Sequence, residues 1–93
     1  MAVEKSNKFD KDLESVLDRI ALDSFYAALS LTEELEERLK ALPHMPYKFR
    51  KSIYFDDDNI RDYIYKGYVI PYLIDTEKDK IILLGMVKYR EHL

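Results

Sequence analysis

The 93-residue chain contains no cysteine and no tryptophan, and it has only two glycines, three prolines and two histidines. Without cysteine there is neither a disulfide framework nor a thiolate metal site, and a reducing, cytoplasmic compartment fits best. His44 and His92 stand 48 positions apart, with no acidic residue at a ligand-like spacing from either, so no metal is expected. Asp56-Asp57-Asp58 lacks the spacing of a calcium loop and reads as a solvated turn. There is no glycine-rich phosphate loop, and Ser15, Ser24, Ser30 and Ser52 have no nucleophile-elbow context, so no cofactor is expected either. No apolar run approaches the length of about 18 residues that a membrane span needs. The opening MAVEKSNKFDKD is charged where a signal peptide would be apolar, so neither export nor membrane insertion is expected.

What is present is a globular composition, 47% hydrophobic and 35% charged. A chain this short builds one core, so residues 1–93 are read as a single domain. The formal net charge is −3 and the pI about 5.3, unlike the strongly basic balance of a general nucleic-acid binder. That charge is unevenly placed. Residues 1–43 hold six Lys/Arg against ten Asp/Glu, and residues 44–93 hold nine against eight. The acidity therefore belongs to the first half, and a local basic patch remains available in the second.

Ala2-Val3-Glu4-Lys5 reads as a short edge strand. Ser6 or Asn7 offers an N-cap, and Phe9, Leu13, Val16, Leu17, Ile20 and Ala21 follow at helical spacing, which predicts a helix over 8–21. Ser24 caps again, and Ala28, Leu31, Leu35, Leu39 and Leu42 predict a second helix over 24–41, stopped by Pro43. A link of only a couple of residues makes the two an antiparallel hairpin. Ser52-Ile53-Tyr54-Phe55 suggests a short strand. Three Tyr- and Ile-rich strands are then expected at about 59–65, 68–75 and 80–88. The first two reverse at Lys66-Gly67 and the last two at Thr76–Asp79. Pro71 lies inside the middle strand, where it cannot donate to a ladder, so a bulge or a locally unpaired site is expected there. The fold class is α+β, in two layers: a short N-terminal strand and an antiparallel helical hairpin packed on an antiparallel sheet of three to four further strands.

The residues able to carry chemistry gather near the end of that sheet. Lys88-Tyr89-Arg90-Glu91-His92 combines two cations, an aromatic ring and an imidazole. Such a set can grip phosphates, stack a base and move a proton; on composition alone a solvated chain end is the favoured reading. Arg61 and Asp62 are strand neighbours and so point to opposite faces. Arg61 is then an exposed strand cation, a partner for a helix acid, or a neighbour of Lys88 and Arg90 at one end of the sheet. Most of the eight tyrosines read as sheet residues with hydroxyls reaching water; Tyr89 is the exception considered for base stacking.

The run Asn59-Ile60-Arg61-Asp62-Tyr63-Ile64, then Gly67-Tyr68-Val69-Ile70-Pro71-Tyr72-Leu73-Ile74-Asp75, then Ile81 to Gly85 and Val87-Lys88-Tyr89-Arg90, resembles the RelE/ParE superfamily of bacterial toxins. The hairpin ending in Leu42-Pro43 and the strand before it match too, so the resemblance spans nearly the whole chain. It implies the toxin of a bacterial type II toxin–antitoxin module, of the kind associated with plasmid stabilisation and growth inhibition, held inactive by a cognate protein antitoxin. One branch of the superfamily cleaves mRNA on the ribosome, and the other poisons DNA gyrase without being a nuclease; a homodimer is also allowed. Carried over by position, the candidate catalytic residues are Arg61, Lys88, Tyr89, Arg90 and His92. Lys88 stands where many nuclease members have histidine, and Val69 where the family usually has arginine. Both departures, with the acidic pI, tilt the expectation toward a ParE-like toxin acting through a protein target such as DNA gyrase. The alternatives are a RelE-like, ribosome-dependent mRNA endoribonuclease and a degenerate, non-toxic interaction module.

Overall fold

A computed structural model describes residues 1–89. Its elements run β1 (Ala2–Lys5), α1 (Asn7–Asp23), α2 (Phe25–Lys40), a 3-10 turn (Leu42–His44), β2 (Ile60–Tyr65), β3 (Tyr68–Asp75), β4 (Lys80–Leu83) and β5 (Val87–Lys88). Serine caps start both helices. The Ser6 hydroxyl accepts from the Phe9 N–H at 3.1 Å and that of Ser24 from Ala27 N–H at 3.0 Å. Ser24 also closes α1 through its own N–H to the Ile20 carbonyl, so a single residue serves as both stop and start. The hairpin is as tight as the pattern requires.

The strands lie in the order β1-β4-β3-β2, with β5 pairing β3 beyond the end of β4. The successive strands β2, β3 and β4 pair antiparallel, as does β5 with β3. β1 pairs parallel with β4, so the sheet is mixed. In sequence the hairpin, β2 and β3 lie between those two strands, a connection long enough to return the chain in the same direction. At the β2–β3 turn, Lys66 (φ 46°) and Gly67 (φ 84°) are both left-handed, as a two-residue primed turn demands.

One face of the sheet carries Tyr63, Tyr65, Ile70, Tyr72, Ile74, Ile81 and Leu83, which bury against Phe9, Val16, Leu31, Leu35 and Leu39 of the hairpin. The stripes read from the sequence are those that pack.

Two expectations change. The strand expected over 80–88 is two, 80–83 and 87–88. Between the paired positions Tyr72–Leu83 and Val69–Val87, two residues of β3 face three of the other strand, which is a bulge. It falls opposite Pro71, whose carbonyl accepts from Leu84 N–H at 2.8 Å and whose missing N–H leaves no return bond. The Asp12 carboxylate of α1 accepts the Met86 N–H at 3.0 Å and holds the bulge in place. Secondly, Ser52–Phe55 is no strand. Only Lys51 bridges to Arg61, after which the chain bends into the acidic turn. Asp62 lies opposite, and its carboxylate takes the Ile53 N–H at 3.1 Å, replacing the ladder bond that a strand would need.

Candidate functional site

Arg61 sits on β2 in phase with Tyr63 and Tyr65, on the helix-facing side, and is half-buried. Its guanidinium donates from Nε to the Asp58 carbonyl at 3.0 Å and from Nη1 to the Phe49 carbonyl at 3.2 Å. It also lies 5.1 Å from the centre of the Tyr47 ring. These three partners belong to the irregular segment of residues 45–59, so one cation ties both ends of that segment to the sheet. Next to it, burial pushes the Tyr72 phenol up to about 12, partly offset by Arg61, and its hydroxyl donates to the Pro46 carbonyl at 2.6 Å.

Lys88 is exposed and pairs with Tyr68. Cross-strand partners share a face, so it too lies toward the hairpin, beside a hollow lined by Asp12, Ser15, Arg19 and Met86. Arg61 pairs with Tyr72 instead. Four residues of β3 separate the two positions, about 13 Å at about 3.3 Å per residue, and the strands that carry them flank β3 on opposite sides. Arg61 and Lys88 are therefore not neighbours, and the idea that they meet at one end of the sheet does not hold.

Tyr89 follows, with its N–H donated to the Gly67 carbonyl at 2.7 Å. Its ring lies 5.9 Å from the Arg50 guanidinium. Arg50 in turn pairs with the Asp62 carboxylate at 3.2 Å, on the face away from the hairpin. Lys88 and Tyr89, adjacent in sequence, thus engage different sides of the sheet. Arg90 and His92 lie outside the described residues.

Arg50 and Asp62 are the site members that sequence reasoning missed. The Asp62 side chain is fully buried, and its Oδ2 receives Arg50 and the Ile53 N–H while its Oδ1 has no partner among the described residues. A carboxylate in an apolar strand pattern, between Ile60 and Ile64, was the available signal, since buried acids need partners. Nothing in the sequence pointed to Arg50 as that partner. Val69, where the resemblance would place an arginine, is 0% exposed. Among the described residues, no group of three or more His, Asp or Glu side chains is placed to hold a metal ion.

A base, a phosphate-gripping cation and an acid must converge within hydrogen-bond reach to cut RNA at a 2′-hydroxyl. The described candidates are dispersed: Arg61 on backbone carbonyls, Lys88 toward the hairpin and Tyr89 under Arg50.

A family model described as the ParE toxin of type II toxin–antitoxin system, parDE, matches residues 3–91. Among solved structures, the chain resembles the chromosomal ParDE TA system from P. aeruginosa with a TM-score of 0.74, at 16% identity, over 95% of both chains. It also resembles a conserved hypothetical protein from Helicobacter pylori, with a TM-score of 0.52 at 17% identity over 96% of this chain and 94% of that one. No curated protein matches. The structural likenesses speak to the two-layer fold, and the family match covers strand, hairpin and sheet alike: the chain belongs to the ParE toxin family of type II toxin–antitoxin systems.

Proposed function

We propose that this chain is a ParE-like toxin neutralised by a cognate antitoxin and acting through a protein target, DNA gyrase being the one its family suggests. The observation that carries the reading is the dispersal of the cations. Arg61 is spent on two backbone carbonyls, and the position of the family arginine is a buried valine. Arg61 is a positioning residue for the segment 45–59. The target is contacted through the end of the last strand, by Lys88 on one side of the sheet and Tyr89 on the other, with Arg90 and His92 the next candidates in sequence. The pairing of toxin and antitoxin named for the P. aeruginosa system supports a partner of the same kind here.

The test combines induced expression in a bacterial host, primer extension on host transcripts and a gyrase supercoiling assay with purified protein. Growth arrest with intact transcripts and inhibited supercoiling is the expected result. Codon-phased transcript cuts would replace the reading with the mRNA endonuclease, and unimpaired growth at high soluble expression with a degenerate module. Arg90→Ala should abolish arrest; full toxicity in that variant would remove the C-terminal segment from the contact surface.

A further inference from the structure

Many cations of the chain are already tied to a carboxylate: Lys5 to Glu36, Lys66 to Glu34, Lys80 to Glu4 and Arg50 to Asp62. Arg19 of α1 and Lys88 of β5 are in no ion pair among the described residues. Both line one hollow of about 210 Å³ between that helix and the end of the sheet. Two local features bring them together there. Along α1, Asp12, Ser15, Val16 and Arg19 stand at i, i+3, i+4 and i+7, which is one stripe of a helix. On the sheet, the bulge before β5 sets Lys88 opposite Tyr68, and so toward the hairpin. The floor of the hollow is apolar, since Val16 and Met86 are buried and the Tyr68 ring is half-buried. Its one acid is engaged: the Asp12 carboxylate pairs with Lys8 at 2.7 Å and accepts the Met86 N–H at 3.0 Å. The hollow is therefore an electropositive spot on the acidic half of the chain.

An apolar floor beneath two cations fits an apolar stem that ends in a negative charge. A carboxylate brought there takes charge-assisted hydrogen bonds from a guanidinium fork and an ammonium, while its methylenes cover Val16 and Met86. The volume is below the about 300–1,000 Å³ of a small-molecule site, so the hollow admits a single side chain rather than a cofactor. A nucleic acid needs a track of cations along its backbone, and here Glu14 and Asp18 are exposed next in sequence to Ser15 and Arg19. An anionic membrane is recognised by a cluster of about four or more basic residues, and the hollow offers two. Lys88 is also the residue through which the target is met in the reading above, so the hollow continues that contact onto α1.

We propose that the hollow between α1 and β5 receives one acidic side chain of the target protein, its carboxylate between Arg19 and Lys88 and its stem on Val16 and Met86. This rests on the reading that the chain acts through a protein target met by Lys88. It adds a second cation, Arg19, and the sign of the matching charge on the target. Arg19 is a specificity residue, favouring a carboxylate over a neutral or basic side chain. Asp12 is a positioning residue, because it holds the bulge from which Lys88 enters the hollow.

The experiment titrates the purified chain and its variants with purified DNA gyrase at about 50 and about 300 mM NaCl. Arg19→Ala should weaken binding about tenfold at low salt. Arg19→Glu, and Ser15→Asp, which brings a carboxylate to the hollow from a second position, should weaken it about 100-fold, with both losses smaller at high salt. Lys11→Glu makes the same charge change on α1 outside the hollow and should stay within about twofold of the wild type. Thermal melts of all four variants should match the wild type, since Lys11, Ser15 and Arg19 are exposed. Wild-type affinity in Arg19→Ala, Arg19→Glu and Ser15→Asp would overturn the hollow and leave the target reading standing. A loss in Lys11→Glu equal to that in Arg19→Glu would assign the effect to the charge of the whole helix and overturn the hollow too. The same losses against the purified antitoxin, with affinity for gyrase unchanged, would give the hollow to the antitoxin and overturn the proposal. A wild-type chain that binds the antitoxin but not gyrase would overturn both the hollow and the target reading.

Discussion

The hairpin and the segment of residues 45–59 both close over the same sheet, by opposite means. The hairpin is held mainly by a stripe of apolar side chains, Phe9, Val16, Leu31, Leu35 and Leu39, with polar ties to the sheet at its margins, Asp12 on the Met86 N–H and Glu34 on Lys66. The segment is held at its ends by polar anchors: Arg61 on two carbonyls, the Tyr72 hydroxyl on Pro46, the Asp62 carboxylate on Arg50 and on the Ile53 N–H. Apolar packing is shared among many contacts and tolerates small rearrangements. A polar anchor has few and fixed partners, and removing one leaves a buried donor or acceptor unpaired. The hairpin should therefore fail as a unit, and the segment should fail locally.

The largest effect expected is on the hairpin. Phe9 is 0% exposed, so Phe9→Ala should cost about 3–5 kcal/mol. In a domain of this size that lowers Tm by about 12 °C or more, in a single cooperative thermal transition. Arg50→Ala comes next. It leaves the buried Asp62 carboxylate with one backbone donor, but the Arg50 side chain is itself 36% exposed, so about 2 kcal/mol is expected. Asp62→Asn, which removes the charge and keeps the shape, should cost less than Arg50→Ala in the same denaturant titration. Arg61→Gln should cost about 1–2 kcal/mol globally. Its signature is local: hydrogen exchange in residues 46–59 should accelerate well beyond any change in the hairpin.

The smallest effect is an acid one. The hydrogen bond from Lys66, with Arg38 adding to it, lowers the Glu34 carboxyl from 4.5 to about 2. A depressed carboxylate contributes stability that is present above its ordinary pKa and is lost as pH falls through the folded value. The difference in Tm between wild type and Glu34→Gln should therefore shrink from pH 4.5 to pH 2. A difference that stays constant over that window would mean Lys66 does not hold Glu34 in solution.

The same contrast explains what could be read from the sequence. Apolar periodicity is local, so both helices, their serine caps, the Lys66-Gly67 reversal and the strands β2, β3 and β4 were legible from neighbouring residues. Pro71 announced an interruption, and its effect fell on the strand across from it. The parallel pairing of β1 was not legible, because no local pattern says which distant edge a four-residue strand will join. Nor was the path of residues 45–59, which depends on partners such as Arg50 and Asp62, 12 positions apart. At the candidate site the residue types were legible. Their directions were not, because the bulge at Leu84–Met86 and the grip of Arg61 on Asp58 and Phe49 decide where each cation points.

The central claim is that Arg61 organises the fold while the Lys88 end of the sheet meets the target. The most direct test is growth arrest on induction, at matched soluble protein levels, of Arg61→Gln beside the double variant Lys88→Ala with Tyr89→Ala. The account predicts that Arg61→Gln still arrests growth and that the double variant, with Tm unchanged, does not. A fully toxic double variant, or a harmless Arg61→Gln whose exchange in residues 46–59 is that of the wild type, would contradict it.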